Sequence, residues 1–216
     1  MVNVKPLNTL LDYLRARVRI VMKHVAYALN RLSGGKVTPN AVTLIGLLMH
    51  LPIAWLIATN HYILAGILLI IFGLFDALDG ELARLQKKDS AGGMLLDAST
   101  DRMKEVMLYT GAAYGLVATN QANYAAWAVI ACGASLCVSY VKAKGETAIA
   151  KTNMTVSEIN RLFQDGFMRF ELRMCLLILG LFTDHLLWAV IAIAVLSTLT
   201  AIERLVKISR RLRVQS

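Results

Sequence analysis

The stretch FDALDGELARLQKKDSAGGMLLDASTDRMKE, residues 75–105, sits inside a chain otherwise built for lipid. It sets Asp76, Asp79, Asp97 and Asp101 directly against long apolar runs. Carboxylates are costly at membrane depth, so four of them need something that neutralises them. Asp76 and Asp79 are three apart and share a face of the helix that ends the preceding apolar run; Gly80, Ala83 and Arg84 continue that face. Asp97 and Asp101 are four apart, with Gly93 one turn earlier, and share a face of the next helix. The segment QKKDSAGG is short enough to join the two helices antiparallel, so that the carboxylate pairs face each other near a membrane edge. Left alone, such a group would repel itself and take up protons. Divalent cations resolve the conflict. An all-oxygen ligand set suits Mg²⁺ or Mn²⁺, and four carboxylates suit two ions better than one. Gly80 and Gly93 leave room for a bulky ligand beside the backbone, and the planar fork of Arg84 matches phosphate oxygens. Helix capping or a surface ion pair would account for any single aspartate, but not for four at helix-face spacing beside two glycines and an arginine.

The remainder of the chain supplies the membrane. Of 216 residues, 57% are hydrophobic and only 17% charged, too apolar for a soluble domain of this size. Charge-free runs cover residues 41–60, 62–75, 106–141, 174–183 and 185–202, and the polar break TNQAN at 119–123 divides the third into two. The expectation is an all-α integral membrane protein with six transmembrane helices. Lys and Arg fall into four blocks, before Ala41, from Arg84 to Lys104, from Lys142 to Arg173 and from Arg204 to Arg213, leaving none near Asn60, Asn120 or Asp184. By the positive-inside rule the basic blocks, both termini and the aspartates lie on the cytoplasmic side of the cell (inner) membrane. The net charge of +9 then reads as attraction to anionic headgroups rather than to nucleic acid, since the basic residues flank apolar spans. Cys132, Cys137 and Cys175 lie in apolar runs without metal-ligand spacing and read as small buried hydrophobes. No cleavable signal peptide is visible. LLDYLRARVRIVMKHVAYALNRL instead mixes Arg15, Arg17, Arg19 and Lys23 with apolar positions, as an amphipathic helix on the cytoplasmic interface would. In VTPNAVTLIG, Thr38 as N-cap and Pro39 in the first turn start the first span. The expected division is a juxtamembrane segment over 1–36 and a single six-helix domain over 37–216.

Read in full, the opening stretch is D-x2-D-G-x2-A-R-x8-G-x3-D-x3-D, fixed at Asp76, Asp79, Gly80, Ala83, Arg84, Gly93, Asp97 and Asp101. At all eight positions this resembles the CDP-alcohol phosphatidyltransferases. The resemblance implies a reaction in which a CDP-linked lipid gives its phosphatidyl group to the hydroxyl of a second alcohol and CMP leaves. It implies that Asp76, Asp79 and Asp97 are metal ligands, and that Asp101 is the general base while also touching the second metal. It further implies that Gly80, Ala83 and Arg84 line the CDP site, Arg84 on the diphosphate. By position, Asn40, Thr43 and Ser90 match polar residues of the family's CDP-lipid site, although capping and turn formation would also account for them. A homodimer is implied as well.

Two further segments bear on the acceptor. SYVKAKGE ends the fourth span with Lys142 and Lys144, and DGFMRFELRM opens the fifth with Arg169 and Arg173 on one helical face. Cations converging near a metal site suit an acceptor that carries its own phosphate; the plainer alternative is positive-inside flanking. Both segments resemble the phosphatidylinositol phosphate synthase branch through Ser139, Tyr140, Lys142, Ala143, Glu146, Gly166, Arg169 and Arg173. They depart from it at Lys144, Gly145, Met168 and Leu172, and the first departure exchanges a bidentate arginine for a point charge. The leading expectation is therefore transfer onto a phosphorylated polyol, inositol 1-phosphate, from a diacylglycerol or archaeol donor. Phosphatidylglycerophosphate synthase, acting on glycerol 3-phosphate, is the alternative within the family. A divalent-cation transporter is the alternative of another class, and it predicts acidic residues through the whole membrane depth, whereas only Asp184 lies near the opposite face.

Overall fold

The computed structural model describes residues 5–149 and 168–213, and among them every regular element is helical. In chain order these are α1 (Lys5–Leu32), α2 (Pro39–Ala58), α3 (Tyr62–Gly73), α4 (Phe75–Gln86), α5 (Ala91–Ala118), a 3-10 turn (Ala122–Tyr124), α6 (Ala126–Ile149), α7 (Phe170–Phe182) and α8 (Leu186–Arg213). The starts and stops have local causes. Thr38 caps α2, accepting from the Ala41 N–H at 3.3 Å, and Pro39 occupies the first turn, where its missing N–H costs nothing. Asn60, Asn120 and Asp184 end three helices in the left-handed region, at φ of 64°, 59° and 57°. Short polar side chains tolerate that conformation, so each of the three loops free of Lys and Arg begins at a tight stop.

The second apolar run is not one helix. α3 ends at Gly73, and the Leu74 N–H reaches back three residues to Ile71 at 3.3 Å before α4 begins. A glycine at the join makes such a tightening inexpensive. Its consequence is positional, because α4 carries the first two aspartates on its own axis.

α2 packs along α5 at very short range. A Cβ on Gly111 would come within 2.4 Å of the Ala54 carbonyl oxygen, and one on Gly115 within 2.7 Å of that of Ile57. Two glycines four apart remove side chains from one helix face and let two backbones meet. Around this contact lies the main core, with Ile53, Ile57, Leu108, Ala112, Leu177 and Ile193 all fully buried. A smaller core of Met22, Ala26, Val42, Leu78 and Leu82 docks α1 onto α4.

The outward faces are apolar too: Leu48, Trp55, Val129, Trp188 and Leu199 are all more than half exposed. Among the described residues, four helical segments are long and apolar enough to cross a bilayer: Pro39–Ala58, Tyr62–Gln86, Ala122–Ala148 and Leu186–Leu212. With apolar residues both inside and out, the molecule is a helical membrane protein. α5 and α7 run beside these segments but fall outside that measure: α7 is short, with 13 residues, and α5 carries its charges in its first turns.

Candidate active site

α4 and α5 are joined by Lys87–Ser90. Lys87 ends α4 in the left-handed region at φ 55°, and the Ser90 hydroxyl accepts from the Gly93 N–H at 3.0 Å to start α5. That turn brings together what the spacing predicts should meet. Asp76 from α4 and Asp97 and Asp101 from α5 each offer an oxygen, all within 4.8 Å of one another. Asp97 Oδ1 is buried without a hydrogen-bond partner among the described residues. Three hard oxygen donors, one of them unsatisfied, fit a divalent cation.

Asp79, expected as a fourth ligand, lies outside this trio. It is buried, and its Oδ2 accepts a 2.5 Å hydrogen bond from the Thr43 hydroxyl, which also lies 3.2 Å from the Pro39 carbonyl. Three carboxylates converge here, therefore, and the fourth is tied to the first turn of α2. Thr43 was expected at the nucleotide site as a polar residue of that turn, and its contact is with the aspartate.

Asn40, Ser90 and Gly93 come together where α2 and α5 begin. A Cβ on Gly93 would lie 3.3 Å from Ser90 Oγ and 3.8 Å from Asn40 Oδ1. At Gly80 the only neighbour of such an atom among the described residues is the Arg84 guanidinium, at 3.7 Å, so the glycine keeps space open beside that arginine. Ala83, one residue before it, is partly buried. Arg84 donates to Glu81 at 2.5 Å, and the same buried carboxylate takes Arg19 of α1 at 2.7 Å. These groups border a cavity of about 760 Å³ between α1 and α4, lined also by Arg15, Lys23 and Tyr27.

The four cations expected on an acceptor phosphate are placed unequally. Lys142 and Lys144 are exposed on α6, the first 3.8 Å from Glu146, the second over the Tyr140 ring. Arg169 is partly buried, 3.7 Å from Glu171. Arg173 is used differently from the expectation: it is 1% exposed, with Nε and Nη2 on Glu105 Oε1 at 2.9 and 2.7 Å and Nη1 donating to the Met168 carbonyl. A guanidinium inside a helix bundle needs a full set of acceptors, and those acceptors turn it away from open space. Gly166, from the same segment, lies outside the described residues.

Three charged residues of α5 border the cluster: the sequence offers Arg102 and Lys104 only as ion-pair partners for single aspartates, and gives Glu105 no part. Lys104, buried at 2%, is ion-paired with Asp76 and lies 3.4 Å from Asp101 Oδ1. Arg102 donates to Glu105 at 2.8 Å and to Ser139 of α6 at 2.7 Å, and lies 3.5 Å from Asp101 Oδ2. Glu105, fully buried, joins Arg102 to Arg173. A signal lay in the run DRMKE, four charges in five residues just before an apolar run, because charges there must turn inward and pair.

With that geometry in view, comparison with known proteins gives the class. Residues 36–200 match the CDP-alcohol phosphatidyltransferase model, well over half of the chain, and the protein belongs to that family. It is 35% identical over 137 residues to the phosphatidylinositol phosphate synthase of Corynebacterium glutamicum, a match covering 62% of this chain and 61% of that protein. It is also 35% identical over 106 residues to the archaetidylinositol phosphate synthase of Pyrococcus horikoshii, covering 49% of this chain and 55% of that one. The chain thus spans less than two thirds of these relatives. Crystal structures of Mycobacterium tuberculosis phosphatidylinositol phosphate synthase share the fold at a TM-score of 0.73 and 22% identity. One, with CDP-DAG bound, covers 87% of this chain and 93% of its own; the other, in complex with manganese and citrate, covers 87% and 88%.

Proposed function

We propose that this protein is a membrane enzyme that moves a phosphatidyl or archaetidyl group from a CDP-linked lipid to the hydroxyl of inositol 1-phosphate, with release of CMP. The observation that carries the reading is the meeting of Asp76 with Asp97 and Asp101 from a second helix, one carboxylate oxygen still without a donor. In this reading Asp76, Asp97 and Asp101 hold Mg²⁺ or Mn²⁺, and Asp79 joins them when two ions bind. Bound there, a divalent cation supplies charge to the phosphate oxygens and the leaving group. Asp101 takes the proton of the acceptor hydroxyl. That oxygen forms its bond to the lipid-bearing phosphorus as the bond from this phosphorus to the bridging oxygen breaks, and CMP departs with that oxygen. A phosphate leaves without an acid's help, and Arg84 steadies it, with Asn40, Thr43, Gly80, Ala83 and Ser90 around the nucleotide. Lys142, Lys144 and Arg169 supply positive charge for the acceptor's phosphate. Arg173 orders Glu105 and, through it, Arg102.

The acceptor assignment is supported by relatives on both lipid types whose names share inositol phosphate. CMP release from a CDP-lipid, assayed with inositol 1-phosphate and with glycerol 3-phosphate, tests it. Release with inositol 1-phosphate is expected; release with glycerol 3-phosphate alone moves the enzyme to the phosphatidylglycerophosphate branch. We also read α2, α3 with α4, α5, α6, α7 and α8 as six spans with α1 lying on the interface, and the basic blocks, termini and aspartates on the cytoplasmic side. Impermeant thiol reagents acting on single cysteines placed at Asn120 and at Lys88 decide the sidedness: only the first reacts from outside intact cells.

A further inference from the structure

We propose that Lys104 is a built-in counter-ion of the aspartate cluster, competing with the divalent cation for Asp76 and Asp101 and so setting how tightly the metal is held. The inference rests on reading the cluster as a metal site. An ammonium is expensive on an apolar helix unless a carboxylate meets it, and Lys104 has two. Its side chain is 2% exposed and pairs with Asp76 across the gap between α4 and α5 while staying within 3.4 Å of Asp101 on its own helix. Both partners belong to the trio whose oxygens lie within 4.8 Å of one another. Lys104 therefore occupies oxygens that a divalent ion needs, and the oxygen it leaves unpaired is Asp97 Oδ1.

Charge explains why both states are sustainable. Ionised, as a divalent ion needs them, the three carboxylates of the trio would carry three negative charges. Lys104 returns one positive charge, and Arg102, 3.5 Å from Asp101 Oδ2, borders the other side. Without metal this holds two helices of acids together; with metal, a fixed ammonium repels the incoming cation at a few ångströms. Lys104 thus trades metal affinity for the stability of the metal-free chain, and the enzyme loads only above a threshold of free cation.

The test is Mn²⁺ binding to metal-stripped, detergent-purified protein, read by the electron paramagnetic resonance of the free ion, together with the melting temperature without metal. Lys104→Met is expected to bind Mn²⁺ about tenfold tighter or more and to melt lower when metal-free, while Lys104→Arg, which keeps the charge, stays near wild type in both. Unchanged or weaker binding by Lys104→Met overturns the proposal. A Lys104→Met chain that folds only when Mn²⁺ is supplied supports it, and one that Mn²⁺ does not rescue contradicts it. Binding by neither wild type nor variant removes the metal-site reading itself, which separates the two failures.

Discussion

Each aspartate of the cluster has a different neighbourhood, and its neighbours suggest its work. Asp97 keeps a buried oxygen with no donor, Asp101 stands between two cations at 3.4 and 3.5 Å, and Asp79 is tied to a hydroxyl. The first arrangement suits a ligand, and the second sets two cations beside a carboxylate that takes up a proton. Asp97→Asn and Asp101→Asn are each isosteric, so CMP release should fall by a factor on the order of 10² to 10⁴ with the melting temperature retained. Near-normal turnover in either variant would remove the assigned role. The four acids were legible because helical spacing and adjacent glycines are written in the chain. For Lys104, Arg102 and Glu105 the run DRMKE shows that charges must pair but not with what, because an ion pair between α4 and α5, or α5 and α7, leaves no mark of its partner on either segment alone.

At the scale of the element, α5 organises the site. Its Gly111 and Gly115 set the distance to α2, its Asp97 and Asp101 face α4, and its Glu105 reaches α7. The Glu105–Arg173 pair is sealed from water, so removing Arg173 leaves the buried Glu105 to Arg102 alone. Arg173→Met should cost about 3–5 kcal/mol, seen as a lowered melting temperature in detergent. A shift near zero would mean that α7 is not held through this pair. Helix ends at Thr38, Asn60, Asn120 and Asp184 could be read in advance because caps and left-handed stops depend on single residues. The division of α3 from α4 could not, since Gly73 within an apolar run permits a break without demanding one.

For the whole molecule, the apolar exterior and the four basic blocks describe one device. In the proposed reading the lipid-facing helices would keep the donor's chains in the bilayer, while the α4–α5 turn brings Asp76, Asp97 and Asp101 together. The family was legible because its eight fixed positions fall in a single stretch of 26 residues. The acceptor was less so, because the residues proposed for it, Lys142, Lys144 and Arg169, flank apolar runs, where charge at a membrane edge also serves orientation. In the proposed reading the meeting of Asp76, Asp97 and Asp101 is a divalent-metal site without which no transfer occurs. Its most direct test is CMP release from CDP-diacylglycerol and inositol 1-phosphate by protein stripped with a chelator and then given Mg²⁺ or Mn²⁺. Stripped protein should release no CMP and recover on addition of either ion; release that persists after stripping would rule the metal site out.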